Sequence, residues 1–467
     1  MFDCFPGLGK TLSIGATACP LALGRFRRRR RLRLVFTDRG PQWVDVRALA
    51  LVAVALLVAA PVIAASTAPA SPSVATPSPR ASPSSAVTDA ATTTVAPNGS
   101  NATRVMSIPG PAVRRTAVER QAVDVGAAAT FGANASAVRM RTLAVVARVE
   151  NASTNETRAA RIDAALEGAR TRTTALGQRR ARTLSAFNDG DLTARAFVVR
   201  LARYRLEAMA LRDRVSRLRT LASDTPGVSG EAAVELQFEL QTFDGPVRRR
   251  AAESLTGAAA PTRVYVETGP QGVELATIDG DSYSREAIRG ALRRDGDAEL
   301  DELDALNVTA RSYPEMWRTR TSDGRVIGPS SLLVTRVRHE RGRLTAYVDA
   351  DSREVFKESQ RRPLSSFVNR SATVNVRSNL RLVVNRSYPG GPLRITVTDA
   401  ETGDPANATV TINIGSSRTL YVGPTGEDGT AWALSPPGSY GVTAVADGGT
   451  RVVVVQTNAT EPTTPER

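Results

Sequence analysis

Nucleophilic and metal chemistry need histidine, cysteine or convergent carboxylates, and this chain has few such groups. It carries one histidine, His339, between Arg338 and Glu340, and two cysteines, Cys4 and Cys19. A lone histidine flanked by charges in an alternating stretch reads as a surface strand residue. No Ser-His-Asp set, glycine-rich phosphate loop or His/Cys metal cluster can be assembled. Asp349, Asp351 and Glu354 are spaced more tightly than an EF-hand loop and lack its glycine, so they read as a turn. Asp279 and Asp281 read as a strand-ending turn. A glycosidase needs only two carboxylates, but these candidates sit in turns or acidic helix starts, with few aromatics to line a sugar cleft. The expectation is no catalytic, cofactor-binding or metal-binding residue, and no enzyme.

Asparagine carries the stronger chemical signal. Ten of the fourteen asparagines begin an N-x-S/T sequon: Asn98, Asn101, Asn134, Asn151, Asn155, Asn307, Asn369, Asn385, Asn407 and Asn458. With Ser and Thr at roughly a sixth of residues, chance gives about two. The enrichment points to N-glycans, and most of these sites should sit on exposed loops because a glycan cannot be buried.

Glycans require export, and an apolar run supplies it. From Ala48 to Ala60 every residue is Ala, Val or Leu, and Pro61 breaks the run before Val62-Ile63-Ala64-Ala65. Thirteen helical residues span about 20 Å, short of a bilayer core of roughly 30 Å. Residues 48–65 therefore read as a signal peptide cut after Ala64 or Ala65, or as an uncleaved anchor. Either way the body lies outside the cytoplasm, at the cell surface or beyond it. Residues 1–47 hold both cysteines and the arginines Arg25, Arg27 to Arg31 and Arg33. So long a basic leader suggests that translation begins near Val44 or Val46. Without aromatic platforms, the arginine cluster gives no case for nucleic acid.

The formal charge is +15, of which the leader contributes ten basic and three acidic residues, leaving about +8. Lys10 and Lys357 are the two lysines among 61 basic residues. Beyond the leader there is no cysteine, which excludes disulfides and thiolate metal sites there.

Four regions follow. Residues 66–104, rich in Pro, Ser, Thr and Ala, read as a disordered stalk. Residues 112–257 read as helical. Ile162, Leu166, Ala169, Thr173, Leu176, Arg180, Thr183 and Phe187 keep four–three spacing before the turn Asn188-Asp189-Gly190. Phe197, Leu201, Tyr204, Ala208, Leu211, Val215, Leu218 and Ala222 keep it afterwards. Two such seams joined by a short turn predict an antiparallel hairpin, serving a structural bundle or a coiled-coil stalk. A third helix is expected at Val138 to Val149, with Leu236, Leu240, Phe243 and Val247 continuing the pattern up to and beyond Gly245-Pro246.

Residues 261–363 read as mixed α and β. Strands are expected at Arg263–Glu267 and Gly272–Ile278. A helix capped by Ser282 or Ser284 is expected through Leu292, and another at Asp297–Leu306. A hairpin follows at Leu332–His339 and Arg343–Asp349, with Glu354–Lys357 as an edge. The helix at Tyr283–Leu292 and the ending from Leu344 through Asp349 and Asp351 to Phe356 resemble a PepSY-type module. Arg353 stands where that family usually has glycine. The resemblance implies a domain that restrains peptidases or acts in envelope proteins.

Residues 372–457 read as a β-sandwich. Its strands are Thr373–Val376, Leu380–Val384, Leu393–Thr398, Ala408–Ile414, Thr419–Val422, Thr430–Leu434, Tyr440–Ala446 and Arg451–Gln456. Ile395-Thr-Val397, Asp399, Thr402-Gly403, Pro405, Gly429-Thr430 and Pro437-Gly438-Ser-Tyr440 make this region similar to carboxypeptidase-regulatory or transthyretin-like domains. That likeness implies a buried Tyr440 ring and a spacer or adhesion unit. Residues 458–467 read as a disordered tail. The whole order resembles secreted haloarchaeal envelope proteins, although the basic charge departs from them.

The fold class expected is therefore multidomain α+β: a helical bundle, a small PepSY-like domain and a C-terminal β-sandwich. The function expected is a non-catalytic, N-glycosylated envelope protein acting as a structural or binding module. Its partner would be an envelope protein or glycan, with membrane contact through the N-terminal segment where that is uncleaved. The alternatives are a regulator of a secreted or membrane peptidase and, less favoured, a glycosidase.

Overall fold

The computed structural model describes residues 93–95, 105–294, 296–367, 371–416 and 418–460. The leader, the apolar run, most of the 66–104 stretch, Asn98, Asn101, Asn369 and the chain from 461 lie outside the described residues. In chain order the elements are β1 (Thr93–Val95), β2 (Arg115–Gln121), α1 (Val125–Glu150), α2 (Asn155–Asn188), α3 (Ala194–Ser223), α4 (Glu231–Gln241) and α5 (Pro246–Thr256). Then come β3 (Thr262–Thr268), β4 (Gly272–Asp279), β5 (Ser282–Arg289), α6 (Glu302–Ser312), α7 (Pro314–Arg318), β6 (Arg325–Ile327), β7 (Leu332–His339), β8 (Gly342–Asp349) and β9 (Glu354–Pro363). The last group is β10 (Ala372–Arg377), β11 (Leu380–Asn385), β12 (Pro392–Asp399), β13 (Ala408–Ile414), β14 (Arg418–Pro424), β15 (Thr430–Leu434), β16 (Ser439–Ala446) and β17 (Arg451–Asn458).

The long helices start where a side chain can take up an orphan amide. Asp124, Thr154 and Thr193 each accept from the backbone N–H three residues on. Gly190, at φ +91°, turns α2 into α3. Across that turn the rings of Phe187 and Phe197 stack with centroids 4.5 Å apart. Both seams are buried except at Arg180, whose guanidinium lies 4.7 Å from the Phe243 ring centre. α3 is the central helix: α1, α2, α4 and α5 all pack on it. This matches its burial of residues on both flanks of the seam, Val198 and Ala202 on one side and Arg214 on the other.

One antiparallel sheet joins the helical and mixed regions, in the order β2-β3-β4-β5-β9-β8-β7-β6. Three expectations are corrected by it. The stretch after Ala112 is strand β2, paired with β3, rather than helix. β9 is a central ten-residue strand between β5 and β8, not an edge. The helix expected at Tyr283–Leu292 is strand β5, buried on both faces between β4 and β9. Its adjacent Arg285 and Glu286 point to opposite faces, as neighbours on a strand must. The second expected helix forms later than expected, at α6, capped by Asp301.

Helices cover one face of the sheet, where Val264, Val266 and Leu275 join the core of Leu201, Leu218, Leu240 and Val247. The other face takes α6 and α7 over β7 and β8, through Val308, Tyr313, Met316, Val337 and Leu344. Tyr265, Ala276 and Tyr283 on that face meet Leu434 of the C-terminal region. There, β1-β10-β11-β12-β15 and β14-β13-β16-β17 form two sheets around Leu382, Ile395, Val397, Val410, Val442 and Val453. All eight expected strands are present. β1 adds an edge from within the stretch expected to be disordered, and β17 runs on to Asn458, inside the expected tail. Among the described residues no helix is long and apolar enough to cross a membrane.

Candidate functional site

The charged groups that could do chemistry converge on the middle of the large sheet. On the face toward α6, Arg285 binds Glu274 at 2.6 Å, pairs with Glu358 and donates to the Met106 carbonyl. Tyr313 donates to the second oxygen of Glu358, and Tyr265 donates to Glu267. Three carboxylates thus surround one fully buried guanidinium. Burial, with Glu267 and Glu358 adding to it against the pull of Arg285, pushes Glu274 up to about 7. Excess negative charge in a low-dielectric interior retains a proton. Glu274 and Glu358 are 2% and 0% exposed, so the two carboxylates that meet at Arg285 are a closed ion cluster rather than a cleft.

On the opposite face Arg248 of α5 donates to Glu286 at 2.7 Å and to the Phe243 carbonyl at 2.9 Å. Lys357 of β9 donates to the carbonyls of Gln241, Thr242 and Asp244, at 3.2, 2.9 and 2.6 Å. Its Nζ also lies 4.2 Å from the Tyr347 ring centre. Burial drives the Lys357 pKa well down, and Arg248 adds to that shift. Sequence reasoning passed over Arg285, Glu274, Glu358 and Lys357. The available signal was chemical economy: a chain that uses arginine throughout keeps one lysine in its body.

The residues singled out from sequence fall elsewhere. His339 is 6% exposed at the end of β7, with Nε2 unpartnered, rather than on the surface. Val337 beside it packs into the core under α6, and the strand carries the imidazole inward with it. Asp349 is buried in the β8–β9 turn and accepts from Arg293 and from the Ser352 amide, at 2.7 and 2.9 Å. Asp351 accepts from the Ala298 amide. Arg353 has φ +53°, the left-handed conformation that favours glycine. Asp279 and Asp281 are exposed around Gly280, at φ +57°. Cys4 and Cys19 lie outside the described residues.

Seven of the ten sequon asparagines are described. Asn151, Asn155, Asn307, Asn407 and Asn458 are exposed, the first two at the turn between α1 and α2 and Asn307 on α6. Asn134 is half-buried on α1 with an unpartnered Nδ2. Asn385 is the exception to this exposure. It is 8% exposed at the end of β11, with its Oδ1 unpartnered.

A trough runs between α1, α2 and α3. It is a cavity of about 290 Å³ lined by Arg141, Arg172, Arg179, Arg203 and Arg214, with Glu207 as the one acid among its lining residues.

Comparison with known proteins places three matches along the chain. Residues 46–260 match a domain of unknown function (DUF7096), and residues 264–368 match a family of unknown function (DUF7094). Residues 371–454 match an archaeal fibronectin-III type-like domain, where the turns had suggested a carboxypeptidase-regulatory or transthyretin-like one. No curated protein and no solved structure matches the chain.

Proposed function

We propose that this chain is a non-catalytic, exported and N-glycosylated cell-envelope protein of an archaeon, acting as a rigid structural or binding module. The observation that carries this reading is the sequon set. Ten of fourteen asparagines begin sequons, and five of the seven described ones present their side chains to solvent. The archaeal fibronectin-III type-like match fits a surface spacer or adhesion unit. The apolar run at 48–65 would carry the body across the membrane, as a cleaved signal or as an anchor. An envelope protein or glycan is the partner this reading calls for.

The alternatives have less support. A regulator restraining a secreted or membrane peptidase drew on a PepSY-like helix at Tyr283–Leu292, and that stretch is strand β5. A glycosidase needs two carboxyl groups facing each other across a cleft, whereas Glu274 and Glu358 are buried on Arg285.

Glycopeptide mapping of the protein isolated from its native cells tests the reading. Sugars are expected at Asn151, Asn155, Asn307, Asn407 and Asn458, with Asn385 bare. A full-length chain in the cytosol with unmodified asparagines would overturn it.

A further inference from the structure

Arg214 is a cation that the fold buries without an acid to balance it. It is 3% exposed, its Nε donates to the Thr142 hydroxyl at 3.1 Å, and no carboxylate among the described residues pairs with it. Buried charges are ordinarily paired, because the interior solvates an ion poorly. Here the neighbours make matters worse. Burial, then Arg172 and Arg141 beside it, depress the Arg214 pKa to about 10.

The surroundings are built for a missing acceptor. Arg214 and Arg172 line both the 290 Å³ trough and a second cavity of about 190 Å³ toward Arg148 and Arg161. Glu207 is already engaged, by Arg179 at 2.7 Å and Arg203 at 2.9 Å. Asn134 adds a buried Nδ2 with no acceptor. These unmet groups are all donors, so what would complete them is an anion rich in oxygen acceptors. Two cavities sharing two arginines offer room for more than one oxyanion group. Neither lining contains an aromatic ring, so a nucleobase would find nothing to stack on.

We propose that the trough between α1, α2 and α3 binds an acidic polysaccharide, seating a sulfate or carboxylate group on Arg214 with Arg141 and Arg172 beside it. This deepens, and rests on, the reading of the chain as an envelope binding module.

The test is calorimetric titration of the full chain isolated from its native cells. The probes are a sulfated dextran oligomer, a polygalacturonate oligomer, inorganic sulfate and a single-stranded oligonucleotide of equal charge. Both saccharides should bind, more weakly as salt rises, and at least about tenfold more tightly than sulfate or the oligonucleotide. Arg214→Met should lower saccharide affinity at least about tenfold while Tm stays level or rises, since an unbalanced buried charge is removed. A purely structural arginine would give the opposite Tm change. Arg172→Gln, at an exposed position, should weaken binding without disturbing the core, and serves should Arg214→Met fail to fold. Saccharides that do not bind, variants that bind like the parent, or an oligonucleotide that binds as tightly would each overturn the proposal. The glycopeptide map decides the export reading separately.

Discussion

Lys357 shows how residue type follows geometry. Three carbonyl oxygens at the C-terminal end of α4 converge on its single Nζ. Such carbonyls lack helical partners and carry the negative end of the helix dipole. An ammonium presents three protons from one point, whereas a guanidinium spreads five over a planar fork and cannot bring them together there. Lys357→Arg should therefore cost about 2–3 kcal/mol despite conserving charge, measured by urea unfolding. A loss under about 0.5 kcal/mol would refute the cage argument. His339 gives a pH prediction at the same scale. Burial first, then Arg362 and Arg341, lower its pKa to about 4 from an ordinary 6.5. A depressed pKa means that folding expels the proton. The neutral form's advantage is full above pH 6.5 and is lost as pH falls toward 4. Between those values the protein should lose up to about 3 kcal/mol that a His339→Gln variant does not lose. Since His339 is the only histidine, one imidazole resonance reports the titration. A midpoint above pH 6 would contradict the buried, unpartnered placement.

At the scale of elements, β5 is where the α5 helix is fastened to the sheet. Glu286 lies against the start of α5 so closely that a Cβ on Gly245 would fall 1.3 Å from its Oε2. The carboxylate meets both the positive end of the helix and the Arg248 guanidinium. Removing one partner of a buried pair strands the other, so Glu286→Gln should cost about 3–5 kcal/mol. Replacing both, Arg248→Met with Glu286→Leu, should recover most of that loss in denaturant unfolding. A double variant no better than the single one would mean that the pair is not the fastening. The same pair explains why β5 was illegible in sequence. Strands with one wet face announce themselves by alternation, as β11 and β16 do. A strand buried on both faces, with its charges neutralised by partners distant in sequence, shows neither alternation nor an apolar run, and Ser-Arg-Glu-Ala imitates a helix start. The α2 and α3 seams were legible because each buries one stripe of residues four and three apart. Arg214, one position before Val215 of the seam, was invisible for a related reason. It lies on a flank of the seam that is buried only because α1, carrying Thr142, packs over it.

At the scale of the whole molecule, the C-terminal sandwich meets the large sheet through Leu434, through Arg418 and through one tight turn. Gly390 adopts φ +74°, and a Cβ there would meet the Tyr265 ring at 2.5 Å. Its carbonyl accepts from the Tyr283 hydroxyl at 3.0 Å, while its amide donates to Ser435 within the sandwich. Gly390 therefore ties the two bodies together, touching two buried tyrosines of the sheet on one side and β15's end on the other. Each body has its own apolar core, so each has the means to unfold separately once that contact is spoiled. The parent chain should melt in one calorimetric transition. Gly390→Ala forces a side chain into both the left-handed backbone and the Tyr265 ring, and should cost about 2–4 kcal/mol and split the melt in two. Tyr283→Phe removes only the hydroxyl, and should cost about 1 kcal/mol with the single transition kept. The contrast separates rigid coupling from mere proximity. A Gly390→Ala protein that still melts in one step at the parent's temperature would mean that the two cores are coupled elsewhere, along the contacts of Arg418 with Val118 and Arg263 with Tyr421.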